Sequence, residues 1–387
     1  MIAHAAASGA CHDTDHHENH ERTIDKEMHM IRATRKAASP LRLAAAMAAA
    51  TLLLAACNGN GDDADVEVDD DTDVEDTDDA DDVDDDEAAA EGDRPDFLTL
   101  ATGSTGGTYF PLGGAMAGVW NDNIEDLRVS TQSSGASVDN LQLLDAGEVE
   151  LIMAVNGVAA DAMAGEGDDF PDPLDFAFLG NIYGEVMQIV AHGDSGIESI
   201  SDMEGATVAI GPPGSGTEVV ARQMLEAAGI DPDNDIDARQ ESFGDAADGL
   251  RDAQIDAVFA ILALPAGSIE DVATGTDLTF VSVEDDIAGN ILDDDPTMSE
   301  LSVDADTYPG QDEEVTWLTN WATLYAPSDL HEEVVYDLVR VLYEENQAIA
   351  DAHAVGSQIQ LDTALDGRAD IPVHPGAERY YDEAGAE

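Results

Sequence analysis

Short apolar runs and helix-spaced apolar positions alternate along the chain from Phe97 onward. The apolar runs at 97–101, 127–131 and 150–155 predict strands, whereas the spacing at 108–120 and 138–146 predicts helices. This strand–helix–strand–helix–strand order favours a parallel sheet. Polar side chains that follow its strands would then meet at the carboxyl edge, where such sheets bind ligands.

After residue 170 the pattern begins again. Two strands are predicted at 176–181 and 186–190, separated by Tyr183, Gly184 and Glu185. Further strands are predicted at 206–210, 256–261, 280–283 and 316–325, and helices at 217–228, 243–252 and within 330–350, before a C-terminal segment at 373–381. The repeated strand–helix order predicts a second lobe.

Two glycine-rich turns join a predicted strand to a predicted helix, at 103–109 (GSTGGTY) and at 211–218 (GPPGSGTE). The free N–H groups and the dipole of a helix N-terminus favour an anion at such a joint. Two joints, each at the head of its own strand–helix series, predict two lobes that hold an anion in the cleft between them. The second turn has the Gly-x4-Gly spacing of a nucleotide-binding P-loop, but Thr217 stands where that motif needs lysine.

The formal charge of the 387-residue chain is −71, and its only lysines are Lys26 and Lys36. This charge excludes nucleic acid and acidic lipid as partners, since both need basic patches. The acidity is not confined to one tail, because residues 97–387 alone contain 58 acidic residues and seven arginines. Such a surface is typical of proteins that stay soluble in concentrated salt, so we predict a salt-requiring protein.

The N-terminal region has the pattern of an export signal. A basic segment from Met30 is followed by an apolar core at 43–54 and by Leu-Ala-Ala-Cys ending at Cys57, which resembles the lipobox of bacterial lipoproteins. Cys57 would then be the lipidated first residue, and the alternative is a plain signal peptide with a chance cysteine. The His-rich segment 1–27 could be read as a metal site around Cys11, but we expect translation to start at Met28 or Met30.

Residues 57–96 are predicted to form an acidic, disordered tether, because they lack the apolar residues that build a core. The chain therefore divides into four predicted parts. These are an N-terminal extension with the signal peptide (1–56), the tether (57–96), lobe one (97–193 and 316–387) and lobe two (194–315).

No arrangement of side chains after Cys57 predicts catalysis. The four histidines there, at positions 192, 331, 353 and 374, are scattered, and there is no cysteine nucleophile. Aspartate pairs are too frequent at this charge to be informative. We therefore predict a protein that is not an enzyme and that uses no cofactor and no metal.

Six segments resemble one family, the TAXI subgroup of TRAP-transporter solute receptors. They are 101–112 (ATGSTGGTYFPL), 133–144 (SSGASVDNLQLL), 147–155 (GEVELIMAV), 181–190 (NIYGEVMQIV), 201–218 (SDMEGATVAIGPPGSGTE) and 373–381 (VHPGAERYY). The resemblance implies a type II periplasmic-binding-protein fold, with two α/β lobes and parallel-rich sheets around a central cleft. It also implies a monomeric, lipid-anchored receptor outside the cytoplasm that delivers a small carboxylate or amino acid, such as glutamate, to a TRAP membrane permease.

The resemblance also implies which residues line the cleft. They are Ser104, Thr105, Gly107, Thr108, Tyr109, Ser134, Ser137, Asn140, Asn156, Tyr183, Glu185, Ser215, Gly216 and Thr217. Asn156 departs from the glutamine expected after that strand. None of the seven arginines falls in a cleft motif, so amides and hydroxyls would hold the anion. Glu185 and Glu218 read most simply as solvated acids, although a carboxylate in the cleft would suit the ammonium group of an amino acid.

Two other functions fit parts of the sequence. A receptor for an ABC importer or for a sensor kinase would share the fold. Only the six segments that resemble the TAXI receptors distinguish it from a TRAP receptor. A purely adhesive surface lipoprotein is the third possibility. The paired anion-binding turns argue against adhesion, which needs no cleft.

Overall fold

The computed structural model describes residues 94–166 and 169–386. The predicted signal peptide, lipidated Cys57 and most of the acidic tether lie outside these residues. The strands are β1 (Phe97–Ala101), β2 (Arg128–Gln132), β3 (Leu151–Val155), β4 (Ala177–His192), β5 (Thr207–Ala209), β6 (Asp237–Arg239), β7 (Ala257–Ala263), β8 (Leu278–Phe280), β9 (Ser299–Val303) and β10 (Val315–Ala326). The helices are α1 (Tyr109–Asn123), α2 (Ser137–Asp145), α3 (Asn156–Ala164), α4 (Gly216–Ala227), α5 (Phe243–Arg251), α6 (Gly267–Ala273), α7 (Asp285–Asp294), α8 (Glu332–Glu344), α9 (Asn346–Ala352) and α10 (Pro375–Ala384).

The strands form one mixed sheet with the order β2-β1-β3-β10-β4-β7-β5-β6, with β8 paired to β4 and β9 paired to β10. In the first half, β1 pairs in parallel with β2 and β3, and β10 runs antiparallel to β3. In the second half, β5 pairs in parallel with β6 and β7, and β4 runs antiparallel to β7. The order β2-β1-β3-β10 thus recurs as β6-β5-β7-β4. The predicted α/β class, with its repeated strand–helix units, is confirmed.

The strands β4 and β10 connect the two halves. The sequence pattern predicts two strands at 176–181 and 186–190, but the structure has one continuous strand of 16 residues. Residues 183–185 stay in the strand because they pair on one side with Trp321 and its neighbours in β10, and Glu185 also pairs with Ala263 in β7. The Tyr-Gly-Glu sequence favours a turn locally, but pairing with β10 and β7 keeps it extended.

Burial explains why the inner strands form. All residues of β3 and β7 are buried, as expected for inner strands with covered faces. On the first half, Trp120 of α1 is buried and donates from Nε1 to the carbonyl oxygen of Leu338 in α8 at 2.9 Å. This bond fastens the two helices that cover the outer part of the sheet.

Apart from β4, most predicted elements agree with the structure to within a few residues, whereas α3, α6 and α7 have no counterpart in the sequence reading. The strand predicted at 280–283 is displaced to 278–280, and the edge strands β6 and β9 have no counterpart in the sequence reading. Half of each of these two strands, or more, is exposed, so no apolar run marks them. Among the described residues no helix combines the length and apolar character that crossing a membrane requires.

Candidate functional site

A cavity of about 370 Å³, including space open to solvent, lies where the two sheet halves meet. Its lining contains the first residue of four helices, Tyr109 of α1, Ser137 of α2, Gly216 of α4 and Phe243 of α5. The full lining is Gly103, Ser104, Gly107, Thr108, Tyr109, Gly135, Ala136, Ser137, Val155, Tyr183, Glu185, Ser215, Gly216, Thr217, Phe243 and Ile261. Glu185 is the one formally charged residue of this lining, in a chain with a charge of −71.

The first glycine-rich turn runs from Gly103 to Thr108 and leads into α1. Gly106 has a φ of +95°, and a Cβ there would lie 2.8 Å from the backbone nitrogen of Gly244 in the second half. Only glycine fits both the backbone conformation and this approach. The Oγ of Ser104 is buried and has no hydrogen-bond partner within the described residues. A buried hydroxyl without a partner is uncommon and marks a place where a ligand atom would be stabilised.

The second turn ends in a capped helix. Ser215 caps α4, because its Oγ accepts a hydrogen bond from the N–H of Glu218 at 3.1 Å. The Oγ1 of Thr217 accepts from the N–H of Ile261 at 3.1 Å, which ties the helix to β7. No residue of the described ranges accepts the N–H groups of Gly216 and Thr217. Their position at a helix N-terminus makes them donors for an anion.

The third helix N-terminus is already satisfied. The N–H groups of Val138 and Asp139 in α2 both donate to the carbonyl oxygen of Gly214, at 3.0 and 3.2 Å. Gly214 belongs to the second turn, so this contact joins the two halves. The hydrogen-bonding groups of the cavity that lack partners in the described ranges therefore lie in α4 and in the first turn, whereas α2 holds the two halves together.

Two tyrosines hold the buried carboxyl group of Glu185. Tyr109 donates from its hydroxyl to Oε2 at 2.8 Å, and Tyr183 donates to Oε1 at 3.0 Å. Glu185 is only 2 % exposed. Burial raises the pKa of its carboxyl group from the ordinary value to about 8, and the two tyrosine hydrogen bonds oppose that rise. Burial likewise raises the pKa of both tyrosines, so their hydroxyls stay protonated and remain donors.

Close contacts between the halves enclose the cavity. A Cβ on Gly135 would lie 2.4 Å from the carbonyl oxygen of Pro213, and a Cβ on Gly107 would lie 3.1 Å from the ring of Phe243. The Oγ1 of Thr108 accepts a hydrogen bond from the N–H of Ala263 in β7 at 3.2 Å. The structure is therefore a closed arrangement of the two halves.

Of the fourteen residues expected to line the cleft, the structure brings ten to this cavity. Thr105 lies in a neighbouring open groove. The Nδ2 of Asn140 donates to the carbonyl oxygens of Thr102 and Met153, both at 2.7 Å, and thereby ties the ends of β1 and β3 together. Ser134 donates to Oδ1 of Asn140, whereas Asn156 donates to the carbonyl oxygen of Gly367 at 2.8 Å. The polar groups of these three side chains are thus used within the fold.

Six lining residues were not among those expected from the sequence: Gly103, Gly135, Ala136, Val155, Phe243 and Ile261. Ala136 has a φ of +84°, a strained conformation for a residue with a Cβ, and such strain often lies at functional sites. Phe243 is the first residue of α5 and reaches the first turn from the other half. Its position in the sequence gives no indication of this contact. Glu218, read as a solvated acid, is instead bound to the N–H of Gly214 and to Arg222.

Nothing in the described ranges forms a cluster of three or more His, Cys, Asp or Glu side chains that could hold a metal ion. The cavity lining contains no arginine, lysine or histidine. What the site offers a ligand is a pair of helix N–H groups, hydroxyl groups, one buried carboxyl group and the apolar side chains of Val155, Phe243 and Ile261. These groups can hold a small ligand through hydrogen bonds and apolar contacts.

Fold and cavity together define an α/β protein that encloses a small polar site between two repeated sheet halves. Residues 100–385 match the NMT1-like family, and the chain belongs to that family. The match does not distinguish the TAXI receptors, so that resemblance stays a prediction.

Several solved structures are similar to the chain. The periplasmic aliphatic sulphonate binding protein SsuA from Escherichia coli is 16 % identical, with a TM-score of 0.41 and coverage of 74 % of this chain and 83 % of the other. An ABC uptake transporter substrate-binding protein from Streptococcus pneumoniae with bound histidine is 15 % identical, with a TM-score of 0.42 and coverage of 66 % and 91 %. PhnD1 from Prochlorococcus marinus (MIT 9301), in complex with methylphosphonate, is 9 % identical, with a TM-score of 0.47 and coverage of 76 % and 100 %.

Proposed function

We propose that the protein is a receptor outside the cytoplasm that binds a small organic acid or an amino acid, such as glutamate, and delivers it to a TRAP-type membrane permease. The observation that carries this proposal is the enclosed cavity, in which N–H groups of α4 and hydroxyls of the first turn converge and no basic side chain is present. Helix N–H groups can bind a carboxylate without a basic side chain. The motifs of the TAXI receptors support the choice of transporter class.

The two sheet halves support a division into lobes. We propose lobe one at 97–193 with 316–387 and lobe two at 194–315, joined through β4 and β10. Binding would bring the lobes together, because the glycine contacts at 106 and 135 form only when the halves meet. Anchoring through a lipid on Cys57, with residues 57–96 as a tether, belongs to the same proposal.

Binding is tested on the full chain, purified in molar potassium chloride. Native mass spectrometry identifies any ligand carried through purification, and calorimetry with amino acids, monocarboxylates and dicarboxylates measures its affinity. We expect one of these compounds to bind at micromolar affinity or tighter, and Ser215→Ala combined with Thr217→Ala to abolish binding. Ser199→Ala is the control, because Ser199 makes a comparable side-chain bond at the start of residues 200–203, away from the cavity.

Absence of binding to every compound, with the far-ultraviolet circular dichroism of a folded protein, would contradict the receptor function. The choice of transporter has a separate test. Co-purification with a multispan permease from the native membrane, identified by mass spectrometry, distinguishes a TRAP permease from an ABC importer or a sensor kinase. Recovery of an ABC importer or of a sensor kinase would support the receptor function but contradict the proposed TRAP permease partner.

A further inference from the structure

The cavity contains two sets of groups that prefer opposite charges. The N–H groups of Gly216 and Thr217 stand at a helix N-terminus and favour an anion. The carboxyl group of Glu185 lines the same cavity and favours a cation when it is ionised. A cavity meant only for an anion would be weakened by a carboxylate, because like charges repel strongly in a desolvated space.

The hydrogen bonds of Glu185 leave room for a further donor. An ionised carboxylate has about four acceptor sites on its two oxygens. Tyr109 occupies one site on Oε2 and Tyr183 occupies one site on Oε1. Both tyrosines act as donors here, so acceptor sites remain on the two oxygens, and a cation placed beside them would favour the ionised form over the protonated form that burial favours. The remaining acceptor capacity suits an ammonium group, which carries donors only.

Within residues 94–166 and 169–386 no cation neutralises this carboxylate. The cavity lining there has no arginine, lysine or histidine, and the titratable groups that face Glu185 are Tyr109 from α1 and Tyr183 from its own strand β4. A buried carboxylate without a cationic partner is unfavourable, so a ligand that supplies the cation gains affinity from the pairing.

We infer that the ligand of this cavity carries a cationic nitrogen beside its carboxylate, and that Glu185 is the residue that selects for the nitrogen. This inference rests on the proposed receptor function and narrows its substrate class from organic acids in general to amino acids. The carboxylate binds the N–H groups of α4, and the ammonium group binds Glu185 between the two tyrosines. Plain carboxylates, hydroxy acids and dicarboxylates should bind more weakly, because they provide no cation to pair with Glu185.

The experiment compares matched ligands by calorimetry on the full chain in molar potassium chloride. One series is alanine, lactate, propionate and ethylamine, and a second is glutamate, 2-hydroxyglutarate and glutarate. We expect at least one amino acid to bind at least tenfold more tightly than its analogues without the amine. We expect Glu185→Gln to remove this preference, whereas Glu270→Gln, an exposed acid in the neighbouring groove, retains it.

A second measurement needs no variant and so does not depend on the folding of Glu185→Gln. Calorimetry in buffers of different ionisation enthalpy counts the protons that binding releases or takes up. Near pH 8 the free protein holds a fraction of Glu185 protonated, since burial raises its pKa to about 8. An ammonium ligand displaces that proton, so release of about half a proton per ligand near pH 8 supports the inference, whereas proton uptake contradicts it.

The two proposals fail differently. Equal affinity for amino acids and for their deaminated analogues, unchanged by Glu185→Gln, would overturn the inference and leave the receptor function intact. Failure of every compound in both series to bind the folded wild-type chain would overturn the receptor function together with the inference.

Discussion

The two glycine-rich turns occupy equivalent places in the two sheet halves, yet their polar groups are satisfied in different ways. The two side chains of the second turn are satisfied within their own half, since Ser215 caps α4 and Thr217 accepts the N–H of Ile261. Those of the first turn are not. Thr108 precedes α1 without a side-chain cap, and the Oγ of Ser104 has no partner in the described ranges.

What completes the first turn comes from outside it. Tyr109 reaches Glu185 on the connecting strand β4, and Thr108 accepts the N–H of Ala263 from the other half. The second turn can therefore act as a fixed platform for an anion, while the first turn depends on closure and on the ligand. The difference suggests how one strand–turn–helix unit, used twice, can both hold a ligand and respond to it.

The largest effect that we predict concerns Glu185, on which the first turn depends. In the unfolded chain this carboxyl ionises near its ordinary pKa of 4.5, whereas in the folded protein its pKa is about 8. The folded state therefore holds the proton more tightly between these values, and the free energy of unfolding falls as the pH rises from about 5 to 8. Glu185→Gln removes this loss, which amounts to about 4 kcal/mol by the pH-8 end.

Urea unfolding of the wild type and of Glu185→Gln, at a series of pH values and constant high salt, measures the difference directly. Subtraction of the two curves cancels the other acids, including Asp161, whose pKa burial raises to about 6. A difference between the two proteins that stays constant from pH 5 to 8 would show that Glu185 is ionised throughout in the folded state.

The next effect tests closure without changing either turn's own bonds. Gly135→Ala places a Cβ 2.4 Å from the carbonyl oxygen of Pro213, so the halves must separate slightly. Overpacking of this kind costs about 1–3 kcal/mol, which corresponds to a loss of affinity of roughly tenfold to a hundredfold. The matched control is Gly118→Ala in α1, where a Cβ meets nothing within 4 Å.

Ligand calorimetry on both glycine variants checks this prediction. Gly118→Ala should bind normally and gain a little stability, because alanine favours a helix more than glycine does. Equal affinities in Gly135→Ala and Gly118→Ala would mean that ligand binding does not require the closed arrangement described here.

A smaller effect distinguishes the two turns by how much a serine in each contributes to the free energy of unfolding. Ser215→Ala removes a helix cap and should lower the free energy of unfolding by about 1 kcal/mol. Ser104→Ala removes a hydroxyl that has no partner among the described residues, so it should leave that free energy unchanged or raise it. Both should weaken ligand binding. If thermal unfolding shows the same loss for the two serines, the first turn is as self-contained as the second.

Sequence patterns predict the parts of the molecule whose conformation is determined by residues close together in the sequence. The two turns, the helices that follow them and the buried strands β1, β3 and β7 can all be predicted, because Gly-Ser-Thr joints and apolar runs are local signals. The continuous strand β4 could not be predicted, since Tyr183 and Glu185 remain in it only through pairing with β10 and β7. Tertiary pairing here overrides a local turn signal.

The same limit applies to the site. That Ser104, Tyr109 and Ser215 line the cavity could be predicted because they belong to the turns themselves. Asn140 is equally polar and equally close in sequence, but it binds the carbonyl oxygens at the ends of β1 and β3. Phe243 reaches the cavity from a different half and carries no polar signal. Which polar side chain serves the fold and which faces the cavity is decided by contacts distant in sequence.

The smallest effect concerns Ala136, which has a φ of +84°. It directly precedes α2, the helix whose first N–H groups donate to Gly214 of the second turn. Strain of this kind costs about 1–3 kcal/mol in a residue with a Cβ, and glycine avoids it. Glycine also loses about 0.5–1 kcal/mol through the entropy of the unfolded chain, so at the middle of these ranges Ala136→Gly should gain roughly 1 kcal/mol. The control is Ala115→Gly in the interior of α1, which should lose about that amount. Thermal unfolding of both variants at high salt should therefore give shifts of opposite sign. Matching losses would mean that the backbone at Ala136 is relaxed, and that the contact of α2 with Gly214 stores no strain at the edge of the cavity.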